Sequence, residues 1–279
     1  MKPDPQSAPV ACETCPSRPR GGLLRLGLRL SHWDYVVALA GNPNTGKSTV
    51  FNQLTGLRQH TGNWPGKTVM RAEGGFQFAG KRFKLVDLPG TYSLLATSPD
   101  EEVARNFLLF GRPDVTLAVV DATRLERNLN LVLQILEITP RVVLCLNLMD
   151  QAQRLGLQVD DRRLARDLGI PVVPVTARYR EGLDALLQAV YDVATGAVVC
   201  RGYRVRHEDP ELTRALAPLV ARLERAFPGL PNARWVALRL LDGDERIIEA
   251  VRTGEFSEPA PARNETPPTP APPVTATAT

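Results

Sequence analysis

The chain has 279 residues, 43% of them apolar, with a formal net charge of +4. That is enough apolar material for one ordinary domain plus a smaller one, and it excludes a wholly disordered chain. The weak positive balance is spread along the sequence and marks no nucleic-acid footprint, no run approaches the 18 apolar residues of a bilayer-spanning helix, and the first residues lack the order of a signal peptide.

Residues 1–33 carry Pro, Gly and Arg without a period and are expected to form a flexible extension. Within them Cys12-Glu13-Thr14-Cys15 is half of a metal site. His32 is a candidate third ligand and nothing nearby supplies a fourth, so a tail with two free thiols is the competing reading. Residues 23–30, with Arg25 and Arg29, read as a packed edge segment or as a short contact for an anionic membrane surface.

From residue 35 the pattern alternates. Residues 35–40 form an apolar strand running into a Gly-containing turn, and 48–55 a helix. Residues 69–78 and 82–86 read as strands around Gly80, and 99–110 as a helix. Then come a strand at 115–120, a helix at 129–138, a strand at 142–146, a helix at 162–168, a strand at 172–175 and a helix at 182–194. Strands apolar throughout, separated by helices, predict an α/β fold with a mostly parallel central sheet covered on both faces. After about 195 the strands stop, and 210–227 and 234–251 predict amphipathic helices. The expected division is an extension at 1–33, an α/β domain at 34–195, a small helical domain at 196–256 and a Pro-, Thr- and Ala-rich tail at 257–279. Cys145, inside an apolar strand, reads as a buried thiol, and this cysteine usage points to a reducing compartment, hence the cytoplasm.

Four motifs carry chemistry. Gly41-Asn42-Pro43-Asn44-Thr45-Gly46-Lys47-Ser48 fits G-x-x-x-x-G-K-[ST], directly after a strand and opening a helix that continues through Thr49. Phosphate oxygens need several backbone N–H donors at once, and the glycines let the chain curl around them. Lys47 would reach the terminal phosphates and the Ser48 hydroxyl would bind Mg²⁺. Asp87-Leu88-Pro89-Gly90 ends the next strand pair: its carboxylate would hold Mg²⁺ through water, and the Gly90 N–H would sense a γ-phosphate. In Asn147-Leu148-Met149-Asp150, the Asp150 carboxylate would accept the two parallel donors of guanine that adenine lacks, unless it merely caps a helix. Thr176-Ala177-Arg178 follows a strand and offers a backbone N–H to guanine O6, which alone is a weak signal. All four stand in order at carboxyl ends of strands, where open α/β sheets bind ligands. The joint pattern predicts a P-loop domain that binds GTP and hydrolyses it.

The same residues resemble TRAFAC-class G domains, and most closely the cytoplasmic N-terminal region of the FeoB ferrous-iron transporter family, over about 34–254. The resemblance rests on the Gly-Asn-Pro-Asn wording of the phosphate loop, on Gly62-Asn63-Trp64-Pro65-Gly66-Lys67-Thr68-Val69, and on Asp87-Leu88-Pro89-Gly90-Thr91-Tyr92-Ser93-Leu94. It rests too on the Asn147–Asp150 wording and on Arg234-Trp235-Val236-Ala237-Leu238-Arg239-Leu240-Leu241-Asp242-Gly243-Asp244, which generic G domains lack. The resemblance implies that Thr68 is the γ-phosphate-sensing Mg²⁺ ligand of a mobile switch I at 62–66, flanked by Gly66 and Lys67 at the nucleotide. Residues after Gly90 would be switch II, and the helical domain would slow GDP loss. It implies coupling of nucleotide state to a membrane-embedded Fe²⁺ permease, either a removed region or a separate subunit, at the inner face of the membrane. A homo-oligomer stays open, and nucleic acid is not an expected partner.

Two positions depart from common G domains: Leu148 stands where Lys is usual, which predicts weak nucleotide affinity, and Thr91 stands where Ras-like proteins carry a water-orienting Gln. Slow turnover follows, helped by a K⁺ ion if the Asn44 amide oxygen and carbonyls of 63–66 coordinate one; the competing reading has Asn44 only shaping its loop. Trp64 is read as packing on the nucleotide or as an apolar anchor. A soluble assembly GTPase for ribosomes or tRNA modification, and a non-catalytic GTP-binding module, are the rival functions.

Overall fold

The computed structural model describes residues 21–56, 59–95, 98–203, 209–230 and 232–257. The Cys12/Cys15 pair and most of the expected tail lie outside them. A seven-stranded sheet has the order β2-β3-β4-β1-β5-β6-β7. Its strands are β1 (Tyr35–Gly41), β2 (Gln59–Asn63), β3 (Met70–Phe78), β4 (Lys81–Asp87), β5 (Val115–Asp121), β6 (Val142–Asn147) and β7 (Val172–Pro174). β4, β1, β5, β6 and β7 run parallel, and the β2–β3 and β3–β4 pairs are antiparallel. The sheet is therefore mostly parallel, as the apolar strands predict.

β1 shows how the core is divided. Val36, Ala38 and Ala40 join one apolar layer with α3 (Pro99–Asn106) and α4 (Leu125–Ile138). Tyr35, Val37 and Leu39 join the other with α2 (Lys47–Thr55) and α7 (Leu183–Thr195). The two-residue period of a strand sends alternate side chains to opposite faces, so a strand covered on both sides is apolar throughout. Cys145 on β6 is fully buried, and burial pushes its thiol far above the ordinary range.

Several elements differ from the sequence-based expectation. The helix expected over 99–110 is α-helical only through Asn106; it opens on Ser98, whose hydroxyl accepts from the Glu101 N–H at 3.3 Å. Phe107–Gly111 then forms a buried π-helical turn ending at Arg112 with φ +48°. The helix expected over 234–251 is two helices, α9 (Ala233–Leu241) and α10 (Glu245–Arg252). Gly243 turns the chain at φ +72°, and Asp244 caps α10 by accepting from the Ile247 N–H at 3.2 Å. The polar edge strand β2 and the short helix α5 (Met149–Arg154) have no apolar period to announce them. α6 (Asp161–Leu168) and α8 (Pro210–Ala226) lie where amphipathic spacing places them.

Residues 21–33 correct the expectation of a flexible extension. They open with a short helix, α1 (Gly21–Arg25), and Leu23 and Leu28 are each 2% exposed in the same core layer as α3. Of the two readings for 23–30, the packed one matches.

The helical part rests on α3 and the π-helical turn. Arg105, 1% exposed, pairs with Asp244 at 2.5 Å. Arg112 donates to the Phe256 carbonyl at 3.2 Å, Phe110 meets Phe256 at 5.3 Å between centroids, and Arg246 lies 4.3 Å over the Phe110 ring.

Candidate functional site

At the end of β1 the chain must turn under β5. A Cβ on Gly41 would stand 2.5 Å from the Val119 carbonyl oxygen, so a side chain has no room there. Asn44 at φ +66° and Gly46 at φ +80° complete the curl, and the Thr45 hydroxyl fixes it by donating to the Asn42 carbonyl at 2.9 Å. α2 then opens at Lys47 with no acidic residue in its first turn. Its first N–H groups precede the earliest intrahelical bond and carry the positive end of the helix dipole, which favours a phosphate. Asn44, Ser48 and Thr49 are exposed beside this end, and Pro43 is half-buried.

The Asp87–Gly90 loop lies against this curl. The Leu88 N–H donates to the Leu39 carbonyl at 2.9 Å and the Thr91 N–H to that of Gly41 at 3.3 Å. Gly90 faces Pro43, 3.5 Å from where a Cβ would be. The Lys47 ammonium bonds the Asp87 carboxylate and the Leu88 carbonyl, the latter at 2.7 Å. Burial holds the Asp87 carboxyl above its ordinary pKa, while the charge and hydrogen bond of Lys47 pull the other way. Asn42 is 2% exposed, and its amide has no partner among the described residues. Further on, Gln134 of α4 accepts from the Leu94 N–H at 2.7 Å and the Ser93 hydroxyl at 3.4 Å, and Arg127 lies 4.4 Å over Tyr92.

At the other end, Asn147 closes β6 and joins two motifs. Its amide nitrogen donates to the Thr45 carbonyl at 2.9 Å, and its amide oxygen accepts from the Ala177 N–H at 3.1 Å. A Cβ on Gly46 would come within 2.3 Å of that nitrogen, so the close approach itself demands glycine. Leu148 turns the chain at φ +64° and precedes α5 without a side-chain cap. Asp150 sits in the first turn of α5, the cap position is Leu148, and the Asp150 carboxylate accepts no capping N–H, which removes the capping reading. Its carboxylate lies 3.5 Å from Arg154 and lines a cavity of ≈ 520 Å³ with Met149, Leu157, Thr176 and Tyr179. Thr176 bridges to Glu181 through a 3.1 Å backbone bond, and the Arg178 guanidinium lies 5.8 Å over Tyr179.

The stretch expected as switch I is the end of β2 and a turn. Gly62 and Asn63 pair in β2 with Arg71 and Met70 of β3. Residues 64–69 form a turn closed by Trp64 N–H to Val69 carbonyl and Lys67 N–H to Trp64 carbonyl bonds, both 3.0 Å, with Gly66 at φ +69°. Trp64 is buried edge-on against Phe107 at 5.3 Å, so it is an apolar anchor here, and Lys67 pairs with Glu102 of α3 at 2.8 Å. Thr68 is exposed, and its hydroxyl makes no hydrogen bond among the described residues. The structure thus brings the phosphate loop, Lys47, Asp87, Gly90, Asn147 and Ala177 together and leaves Thr68 apart. Gln134 and Arg105 carry no motif and were missed in the sequence.

Comparison with known proteins agrees with this arrangement. The family model for ferrous iron transport protein B matches residues 35–190, and that for the FeoB cytosolic helical domain matches 209–266. The Fe(2+) transporter FeoB of Shigella flexneri is 39% identical over 233 residues, which is 80% of this chain and 28% of that protein. The chain therefore spans under a third of the curated relatives it matches. Among solved structures, the cytosolic domain of the T. maritima FeoB iron transporter in apo form is 35% identical with a TM-score of 0.71, covering 81% of this chain and 88% of that one. A mutant of S. thermophilus NFeoB bound to GDP is 34% identical with a TM-score of 0.70, covering 80% and 85%.

Proposed function

Because this chain belongs to the FeoB family, we propose that it binds GTP and GDP at this site, hydrolyses GTP slowly, and uses the nucleotide state to regulate passage of ferrous iron through a membrane-embedded permease region or subunit. The observation that carries the nucleotide reading is the Asn147 amide, which ties the phosphate loop to the Ala177 loop and so fixes the distance between a phosphate seat and a base seat. The FeoB helical-domain match speaks against the ribosome and tRNA rival.

The phosphate-loop N–H groups and Lys47 hold the phosphates, with Lys47 leaving the Asp87 carboxylate to meet them. Asp150 selects guanine, the Ala177 N–H meets O6, and Leu148 covers the base with an apolar face. The exposed Ser48 hydroxyl and the Asp87 carboxylate, joined by the Thr68 hydroxyl once its turn is drawn in, would make an all-oxygen set that suits Mg²⁺. Bound there, Mg²⁺ supplies positive charge against the charge developing on the transferred phosphoryl group. Gly90 senses that group through its N–H, and water is the nucleophile. No Gln orients it, since Thr91 is short and buried. Arg71 is engaged by Glu73 at 2.8 Å, so it is not positioned as an arginine finger. Intrinsic turnover is therefore slow, nearer the unassisted rate of about 10⁻⁴ s⁻¹ than an assisted one. Asn44, exposed at φ +66°, is placed to offer its amide oxygen to a K⁺ ion that supplies further positive charge. In this reading the chain works at the cytoplasmic face of the membrane, through its partner.

Single-turnover phosphate release in matched KCl and NaCl tests the reading. Release of one phosphate per bound GTP, faster in KCl and with the K⁺ effect lost in Asn44→Ala, is the expected outcome. Stable binding with no release would leave a non-catalytic GTP-binding module.

A further inference from the structure

Residues 21–34 lie ahead of the family-model match, which begins at residue 35, yet they are built into the molecule at both ends. At one end, a Cβ on Gly22 would fall 1.9 Å from the Phe110 carbonyl oxygen, and Leu23 lies 3.1 Å from where a Cβ on Gly111 would be. At the other, Asp34 brackets β4: its N–H donates to the Arg82 carbonyl at 2.9 Å, and its carboxylate accepts from the Arg82 N–H at 2.8 Å. Trp33 covers Gly75 so closely that a Cβ there would meet its ring at 2.1 Å. Between these ends the segment crosses the 64–69 turn. Gly27, at φ +78°, comes within 3.3 Å of the Pro65 ring, measured from its Cβ position.

Beneath the segment lies a polar seat that the nucleotide site does not use. The Glu73 carboxylate pairs with Arg71 at 2.8 Å and with Lys84 at 2.5 Å. The two cations, held in this way, donate to the carbonyls of Leu26 at 3.0 Å and Arg29 at 3.1 Å. The Arg71 guanidinium also stands 5.3 Å from the centre of the Trp64 ring. Segment, Arg71 and Trp64 form one continuous stack, and it ends at the turn that bears Thr68.

We propose that residues 21–34 are a positioning strap that holds the 64–69 turn so that Thr68 can be recruited to a γ-phosphate. The proposal rests on the reading of Thr68 given above. Ordering a loose segment costs backbone entropy for every residue fixed. With Trp64 and Pro65 already seated, GTP has only the residues around Thr68 left to order, and that cost falls on GTP alone because GDP has no γ-phosphate to recruit them. The strap therefore raises affinity for GTP relative to GDP without touching either nucleotide.

The test uses the full chain with fluorescent GDP and a fluorescent non-hydrolysable GTP analogue, both with Mg²⁺. Leu28→Asp lifts the strap from the core, and Gly27→Val strains its φ and crowds Pro65 at an exposed position that leaves the core intact. In both variants the affinity for the GTP analogue falls about fivefold or more relative to GDP, by the entropy argument, while GDP binding holds and deuterium uptake over 63–70 rises. Equal loss for both nucleotides, or an unchanged ratio, overturns the proposal; if Leu28→Asp fails to fold, Gly27→Val decides. Thr68→Ala separates the two claims. A lowered ratio there with an unchanged ratio in the strap variants overturns the strap alone, and an unchanged ratio in Thr68→Ala removes the role of Thr68 and the strap proposal with it.

Discussion

The base end and the switch end of the site are held by different physics. At the base end Asn147, Thr45 and Ala177 are buried, and one amide satisfies a carbonyl and an N–H on two separate loops. At the switch end the turn bearing Thr68 touches the body through Trp64, an exposed Lys67–Glu102 pair and the strap, and Thr68 itself is exposed. A buried amide bonded through both its nitrogen and its oxygen loses both bonds in any other arrangement. An exposed ion pair contributes little and is readily exchanged. Under the proposed function the base seat is therefore preformed, and the switch end is where nucleotide state changes the structure.

The largest expected effect falls on the platform beneath the switch end. Asp244→Asn keeps the α10 cap but leaves buried Arg105 without its counter-charge. It should cost about 3 kcal/mol in chemical denaturation and loosen the helical part, while guanine selectivity stays as it was. Loss of selectivity would show that the two ends are not independent.

Next comes Asp150→Asn. Reversing one donor–acceptor pair should weaken GTP by about 2 kcal/mol and turn preference toward xanthine nucleotides, read by competition binding. Equal binding of ATP and GTP by the parent chain would contradict the assignment.

A smaller effect is expected at Gln134, whose side-chain oxygen holds Leu94 and Ser93. Gln134→Leu should cost about 1 kcal/mol and lower kcat more than it changes KM. Gln134→Glu keeps an acceptor oxygen and should restore most of the rate. If the two variants behave alike, the hydrogen bonds do not position the 91–95 segment.

The smallest effect concerns Asp87. Its folded pKa lies above the ordinary 3.8, so ionisation is disfavoured in the folded state. The parent carries that penalty in full at pH above the folded value and sheds it as pH falls through the folded value and then 3.8, below which the carboxyl is protonated in both states. Asp87→Asn should therefore be slightly more stable than the parent at neutral pH, with the gap closing on acidification through that window. A gap that widens on acidification would mean that the Lys47 pair outweighs burial.

Much of this was legible in the sequence, for identifiable reasons. β1, β5 and β6 are buried at every position and apolar at most of them because both faces are covered, and that run is visible without a structure. The 41–48 and 147–150 motifs are legible because close approach and positive φ dictate residue types over a few consecutive positions. Gln134 and Arg105 are not, because each meets its partner across 40 and 139 positions, and no local pattern records that meeting. β2 stays hidden because an edge strand of Gln59-His60-Thr61-Gly62-Asn63 is stabilised by pairing with β3 and not by burial. The 21–33 segment misleads for a related reason. Its Gly and Arg content reads as loose, while Leu23 and Leu26 meet Gly111 at the end of the π-helical turn, more than 80 positions away.

Hydrogen–deuterium exchange of the whole chain with Mg²⁺, bound to GDP or to a non-hydrolysable GTP analogue, tests the contrast between the two ends most directly. Peptides covering 41–48, 147–150 and 176–178 should be protected alike by both nucleotides, and the peptide covering 63–70 should gain protection with the GTP analogue alone. Equal protection of 63–70 by both nucleotides, or by neither, would contradict a preformed base seat joined to a γ-phosphate-dependent switch.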